Sequence, residues 1–96
     1  MTKIESEIRA AWIKGNAKSK GNTKTDGKSV WLYGNKIIDV NQKNEVLVSL
    51  AGWDTRTTKD RCNNIADAHF HTKNFEPYHN NIAIDSEEWI NLGIKQ

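Results

Sequence analysis

The chain has 96 residues, with one cysteine, one proline and no long apolar run. A lone Cys62 excludes an internal disulfide and any zinc site built on a cysteine pair. No stretch approaches the roughly 20 apolar residues of a transmembrane helix, so no membrane contact is expected. The first residues, MTKIESEIRAAW, lack the apolar centre of a secretory signal. The chain is therefore expected in a reducing cytoplasm. Hydrophobic residues make up only 36% of it, against the usual range of about 45–50%. A chain this short buries about 60–68% of its unfolded surface. That supports one small domain, residues 1–96, and leaves no room for a large cofactor pocket. No cofactor and no metal are expected.

Asparagine and tryptophan are plentiful instead. Eleven Asn and four Trp in so short a chain point to a compact, turn-rich protein, because Asn tolerates turns and the left-handed backbone region. The formal charge of +2 hides an uneven distribution. Lys14, Lys18, Lys20, Lys24 and Lys28 face only Asp26. This segment is strongly basic and the rest of the chain is slightly acidic.

Thr2 and Glu5 fit a capping box, and Ile4, Ile8, Ala11 and Trp12 recur at helical spacing. An amphipathic helix is therefore expected over residues 3–14, stopped by Gly15-Asn16. Residues 15–29, GNAKSKGNTKTDGKS, contain no apolar side chain larger than Ala17 and read as an exposed basic loop. Val30–Tyr33 and Lys36–Val40 flank Gly34-Asn35, a tight-hairpin signal, and Glu45–Leu50 alternates as a third strand. A second helix, capped by Thr55 or Thr57, is expected to run to about His69. Its inner face would be Cys62, Ile65, Ala66 and His69, and its outer face Lys59, Asn63, Asn64 and Asp67. Strand candidates follow at His69–Lys73, Ile82–Asp85 and Trp89–Ile94, with a turn around Pro77. The expected class is α+β. A mostly antiparallel sheet, made of a three-stranded meander and C-terminal strands, is packed by an N-terminal and a central helix. So small a sheet leaves an open edge, and edges invite homodimers by strand pairing.

No catalytic set emerges. Gly21 to Ser29 resembles a phosphate-binding loop, but it precedes a strand instead of opening a helix. His69, His71 and His79 have no further ligand at fixed spacing. Cys62 and His69 lie about 10 Å apart along a helix, too far for a nucleophile and its base. Asp85, Glu87 and Glu88 read as a solvated acidic surface. Two regions remain as binding candidates. One is the basic loop with the hairpin aromatics: Lys18, Lys20, Asn22, Lys24, Lys28, Trp31 and Tyr33. The other is the start of the second helix, where Arg56, Lys59 and Arg61 accompany threonine hydroxyls. At that corner Arg61 is expected to brace Gly52-Trp53. Either region suits an acidic protein face or a phosphate backbone.

Several segments together resemble a family of small, uncharacterised accessory proteins of tailed bacteriophages. They are Gly21-Asn22-Thr23, Leu32-Tyr33-Gly34-Asn35-Lys36-Ile37, and Val48 through Thr58 with Arg61 and Asn63. Ile84-Asp85 and Glu88-Trp89 complete the likeness. One departure is Tyr33, where relatives often carry His. The resemblance implies a phage-encoded protein made in the cytoplasm of the infected bacterial host, with no activity to carry over. The expected function is non-catalytic: binding a host protein to inhibit defence or assist takeover. Nucleic-acid binding through the basic loop and the Arg56/Lys59/Arg61 cluster is the alternative. A small metal-dependent or Cys/His enzyme comes last.

Overall fold

A computed structural model describes residues 1–95. Two helices, α1 (Lys3–Lys14) and α2 (Arg56–Ala66), accompany nine strands. The strands are β1 (Lys18–Lys20), β2 (Thr23–Thr25), β3 (Val30–Leu32), β4 (Asn35–Val40), β5 (Glu45–Val48), β6 (Phe70–Lys73), β7 (Glu76–His79), β8 (Ile82–Ala83) and β9 (Ile90–Ile94). They form a six-stranded antiparallel sheet, β1-β2-β3-β4-β5-β9, and a three-stranded one, β6-β7-β8. The class is α+β, as expected, but the sheet is twice as wide as the meander read from the sequence.

The helices start and stop for local reasons. The Thr2 hydroxyl accepts from the Glu5 amide at 3.2 Å and the Glu5 carboxylate accepts from the Thr2 amide at 2.9 Å, closing the expected capping box. Gly15, at φ +76°, ends α1 in the left-handed conformation. Thr55, not Thr57, caps α2 by accepting from the Thr58 amide. α2 stops at Ala66 because Asp67 turns left-handed at φ +59°. His69 therefore lies beyond the helix and is exposed, and the inner face is Thr58, Cys62, Ile65 and Ala66.

The basic segment is the main departure. Residues 15–29 are not an exposed loop: β1 and β2 form a hairpin closed by Gly21-Asn22, and β2 pairs with β3. Thr23, Thr25 and Ser29 are buried. Threonine reads as polar, yet its branched methyl packs in a strand once its hydroxyl is bonded. The Thr25 hydroxyl donates to the Ser29 carbonyl at 2.7 Å, and that of Thr23 accepts from Arg61 Nε at 3.0 Å. The Asp26 carboxylate accepts from the Lys28 and Ser29 amides, at 2.9 and 2.7 Å, and ties the turn that follows.

One face of the six-stranded sheet carries the core. Ile8 and Trp12 of α1 and Cys62 and Ile65 of α2 pack on Val30, Leu32, Ile38, Val40, Val46 and Val48. A bulge in β4 lets adjacent Ile37 and Ile38 both face inward, since Val30 pairs with Ile38 while Trp31 pairs with Lys36. The hairpin turn sits one residue earlier than expected, at Tyr33-Gly34, with both residues at positive φ.

The small sheet packs against α2 through β6. Its turns, Asn74-Phe75 and Asn80-Asn81, all lie at positive φ, which accounts for part of the asparagine excess. Pro77 is not a turn residue. It sits in β7 opposite Thr72, and the Ile84 amide donates to its carbonyl just past the short β8. The single donor that Pro77 lacks falls where the ladder ends.

Both edges of the large sheet resist strand addition. β1 is three residues long with two lysines, and β9 carries a bulge at Leu92-Gly93, where Asn91 Oδ1 accepts the Gly93 amide at 2.7 Å. Short, charged and bulged edges are the usual blocks to pairing. They oppose the strand-paired homodimer expected from the sequence. No helix among the described residues is long and apolar enough to cross a membrane.

Candidate binding surface at Tyr33

The ten residues read as a binding set do not form one patch. Lys18 and Lys20 point to the helix side of the sheet, 3.5 and 3.0 Å from the Glu7 carboxylate of α1. Lys28 is exposed on the turn after β2, and its carbonyl accepts the Trp12 indole N–H at 2.9 Å. The Arg56/Lys59/Arg61 cluster is dispersed around α2. Arg56 faces solvent beside Asp60. Lys59 is buried, its ammonium on the Asp54 carboxylate and the Thr72 hydroxyl. Arg61 is buried too and reaches α1 and β2, not the Gly52-Trp53 corner. It donates to Glu5 at 2.8 Å, Thr23 at 3.0 Å and Asn22 at 3.3 Å. Arg61, two residues after Lys59, lies on the other side of the helix, and Arg56 stays in solvent while Lys59 turns to Asp54 and Thr72, so the three cations do not converge.

The Glu5–Arg61 pair is the polar centre of the fold. Burial pushes the Glu5 pKa up, but bonds from the Thr2 amide, Arg61 and Asn64 outweigh it. Together they hold the carboxyl below its ordinary value. Nothing local announced this pair, because its members lie 56 residues apart.

Four of the ten residues do come together. Asn22, Lys24, Trp31 and Tyr33 line a hollow of about 360 Å³ on the outer side of the β2–β3 strands. Tyr33 also walls a second cavity of about 310 Å³. This groove is floored by buried Leu32, Ile37 and Thr58 and rimmed by Trp53, Thr55, Thr57 and Asn35. Every lining residue comes from positions 32–37 or 53–58. The two aromatic walls are strongly exposed, Tyr33 at 74% and Trp53 at 56%.

Both walls stand on unfavourable backbone. Tyr33 itself has φ +50°, and Ala51-Gly52, just before Trp53, have φ +55° and +83°. A non-glycine residue held there costs on the order of 1–3 kcal/mol. The surroundings fix both turns. The Tyr33 amide donates to the Asn22 carbonyl at 2.9 Å, the Trp53 amide to Leu50 at 2.8 Å and the Gly52 amide to Ser86 at 2.9 Å. The rim residues Thr55 and Thr57 were legible as helix caps and as hydroxyls beside a cation cluster, not as the rim of a groove.

The histidines and the cysteine lie elsewhere. His79 is buried against Phe70, edge to face at 5.0 Å, and its Nε2 has no hydrogen-bond partner. Burial, with His69 and His71 nearby, lowers its pKa. His71 stacks on Tyr78 at 5.5 Å, on the opposite side of the hairpin by strand alternation. Among the described residues no three His, Cys, Asp or Glu side chains gather to hold a metal. Burial of Cys62 pushes its thiol pKa far up, the reverse of what a nucleophile requires.

Comparison with known proteins adds the origin. Residues 1–95 match the family described as Kyanoviridae Gp96 protein. The chain belongs to this family of phage proteins. The match supports the phage origin expected from the resemblance and does not bear on the motif string that suggested it. Kyanoviridae are cyanophages, so the groove is a feature of a phage-encoded chain. No curated protein and no solved structure matches the chain.

Proposed function

We propose that this phage protein acts without catalysis, by binding a host protein through the groove between Tyr33 and Trp53. In this reading it works in the cytoplasm of the infected cell, inhibiting a host defence or assisting takeover by covering a surface on its target. One observation carries the proposal: two large aromatic side chains stand exposed beside an apolar cavity, on turns whose backbone is strained. Tyrosine and tryptophan dominate the anchor residues of protein interfaces, where a small apolar cavity receives a partner side chain. Strain fixed by surrounding hydrogen bonds presents both rings without a large ordering cost.

Affinity capture from a lysate of the cyanobacterial host tests it, with the wild-type chain and Trp53→Ser side by side. Trp53 is a surface residue, so the variant keeps its circular dichroism spectrum. The expected result is one host protein retained at stoichiometric level by the wild type and lost with Trp53→Ser. Retention of nothing, or equal retention by both, overturns the proposal.

A further inference from the structure

The outer face of the six-stranded sheet holds a second arrangement that the groove does not use. Lys24, Trp31 and Lys36 lie directly opposite one another on β2, β3 and β4. The two ammonium groups sit 5.4 and 5.7 Å from the centre of the indole ring. Both helices pack on the other face, where Val30, Leu32, Val46 and Val48 point. The hollow beside Trp31 adds polar groups from Ser19 and Asn22.

Around Trp31 the cations outnumber the carboxylates. Among the described residues Lys24 has no carboxylate within ion-pair distance, and Lys36 has only Asp39, at 3.5 Å. Asp39 points outward with them, and Glu45 of β5 lies on the same face beyond it, bonded to the Asn41 amide at 2.9 Å. Asp39 is already engaged by the Ser29 hydroxyl at 2.7 Å and the Val40 amide at 2.8 Å. The face therefore offers a half-buried indole between two cations, and the one carboxylate that reaches either lysine is already engaged.

We propose that the Lys24–Trp31–Lys36 face binds single-stranded nucleic acid, one base against Trp31 and flanking phosphates on the two lysines. Stacking on an aromatic ring needs a splayed base, which a single strand provides and a duplex does not. Two lysines supply the charge complement for two phosphates. An acidic protein segment would satisfy the lysines but leave the indole without a planar partner. The proposal does not depend on the Tyr33–Trp53 groove.

The test uses the full chain and a fluorescein-labelled, mixed-sequence single strand of about 12 nucleotides, within the span of one small β domain. Anisotropy is followed at rising salt. Binding is expected, with log K falling against log salt at a slope of about −1.4, or about 0.7 for each of two phosphates. Trp31→Ala should weaken it on the order of tenfold. Lys24→Gln should reduce the slope by about 0.7. Trp53→Ser should leave it unchanged, which separates this site from the groove. Circular dichroism confirms that each variant is folded. Absence of binding at low salt overturns the proposal. So does equal affinity for a duplex of the same sequence, or an unaltered affinity in folded Trp31→Ala. Loss of the captured host protein in Trp31→Ala, without any oligonucleotide binding, assigns the face to protein instead and also overturns it.

Discussion

Glu5→Ala should be among the most damaging single substitutions in the chain. Glu5 and Arg61 are nearly inaccessible, with side chains 1% and 8% exposed. The Glu5 carboxylate serves three donors: Arg61 Nη1 at 2.8 Å, the Asn64 amide at 3.0 Å and the Thr2 backbone at 2.9 Å. Removing it leaves a buried guanidinium without its counter-charge, a change that costs about 3–5 kcal/mol. A domain of this size has a total stability of about 5–15 kcal/mol. Its melting temperature falls about 4–8 °C per kcal/mol, so Tm should drop by at least about 12 °C. Thermal and urea unfolding, followed by far-ultraviolet circular dichroism, measure this directly.

Two controls sharpen the test. Glu7→Ala removes the partner of Lys18 and Lys20, but that pair is solvated, and such pairs contribute little. It should barely move the transition. Glu5→Leu with Arg61→Met replaces both charges by apolar groups and should recover most of the loss. If Glu5→Ala melts with Glu7→Ala, or if the double variant is no better than the single one, the buried pair does not hold α1, α2 and β2 together.

Gly27→Ala should destabilise by more than about 2 kcal/mol, because φ is +95° and an added Cβ would lie 2.4 Å from the Gly15 carbonyl. Gly34→Ala, at φ +80° with nothing within 4 Å, should cost only about 1 kcal/mol; equal losses in urea titrations would contradict the close approach. The lowered pKa of His79 means that the unfolded chain takes up its proton first. Stability is then full above about pH 6.5 and falls as the pH drops below it. His79→Gln should flatten that part of a stability–pH curve, and an unchanged slope would refute the assignment. Light scattering should find a monomer, since both edges of the large sheet are blocked; a stable dimer would contradict that reading.

What the sequence disclosed, and what it hid, follows from the range of the interactions involved. The capping box at Thr2 and Glu5, the Gly15 stop and the alternation of β5 are local, and each lies where the spacing put it. The hairpin of residues 18–25 was hidden because threonine counts as polar until its hydroxyl finds a partner. Those partners, Ser29 and Arg61, are supplied by the fold. The β3–β4 turn took Tyr33 instead of Asn35, because Tyr33 holds positive φ, and the bulge at Ile37 shifts the pairing beyond it, which no alternation rule contains. Arg61 and Lys59 looked like free cations because their carboxylates are Glu5, far along the chain, and Asp54, in the turn before the helix. Tyr33 and Lys24 were legible as exposed candidates. The groove was not, since it exists only where residues 32–37 meet residues 53–58.

Site-specific photocrosslinking in infected cells tests the host-binding proposal most directly. A benzophenone side chain placed at position 33, on the wall of the groove, is compared with one at exposed Lys43 on the turn after β4. The account predicts a discrete adduct with one host protein from position 33, absent from position 43 and lost when Trp53→Ser is added. The same adducts from both positions, or none from position 33, would contradict it.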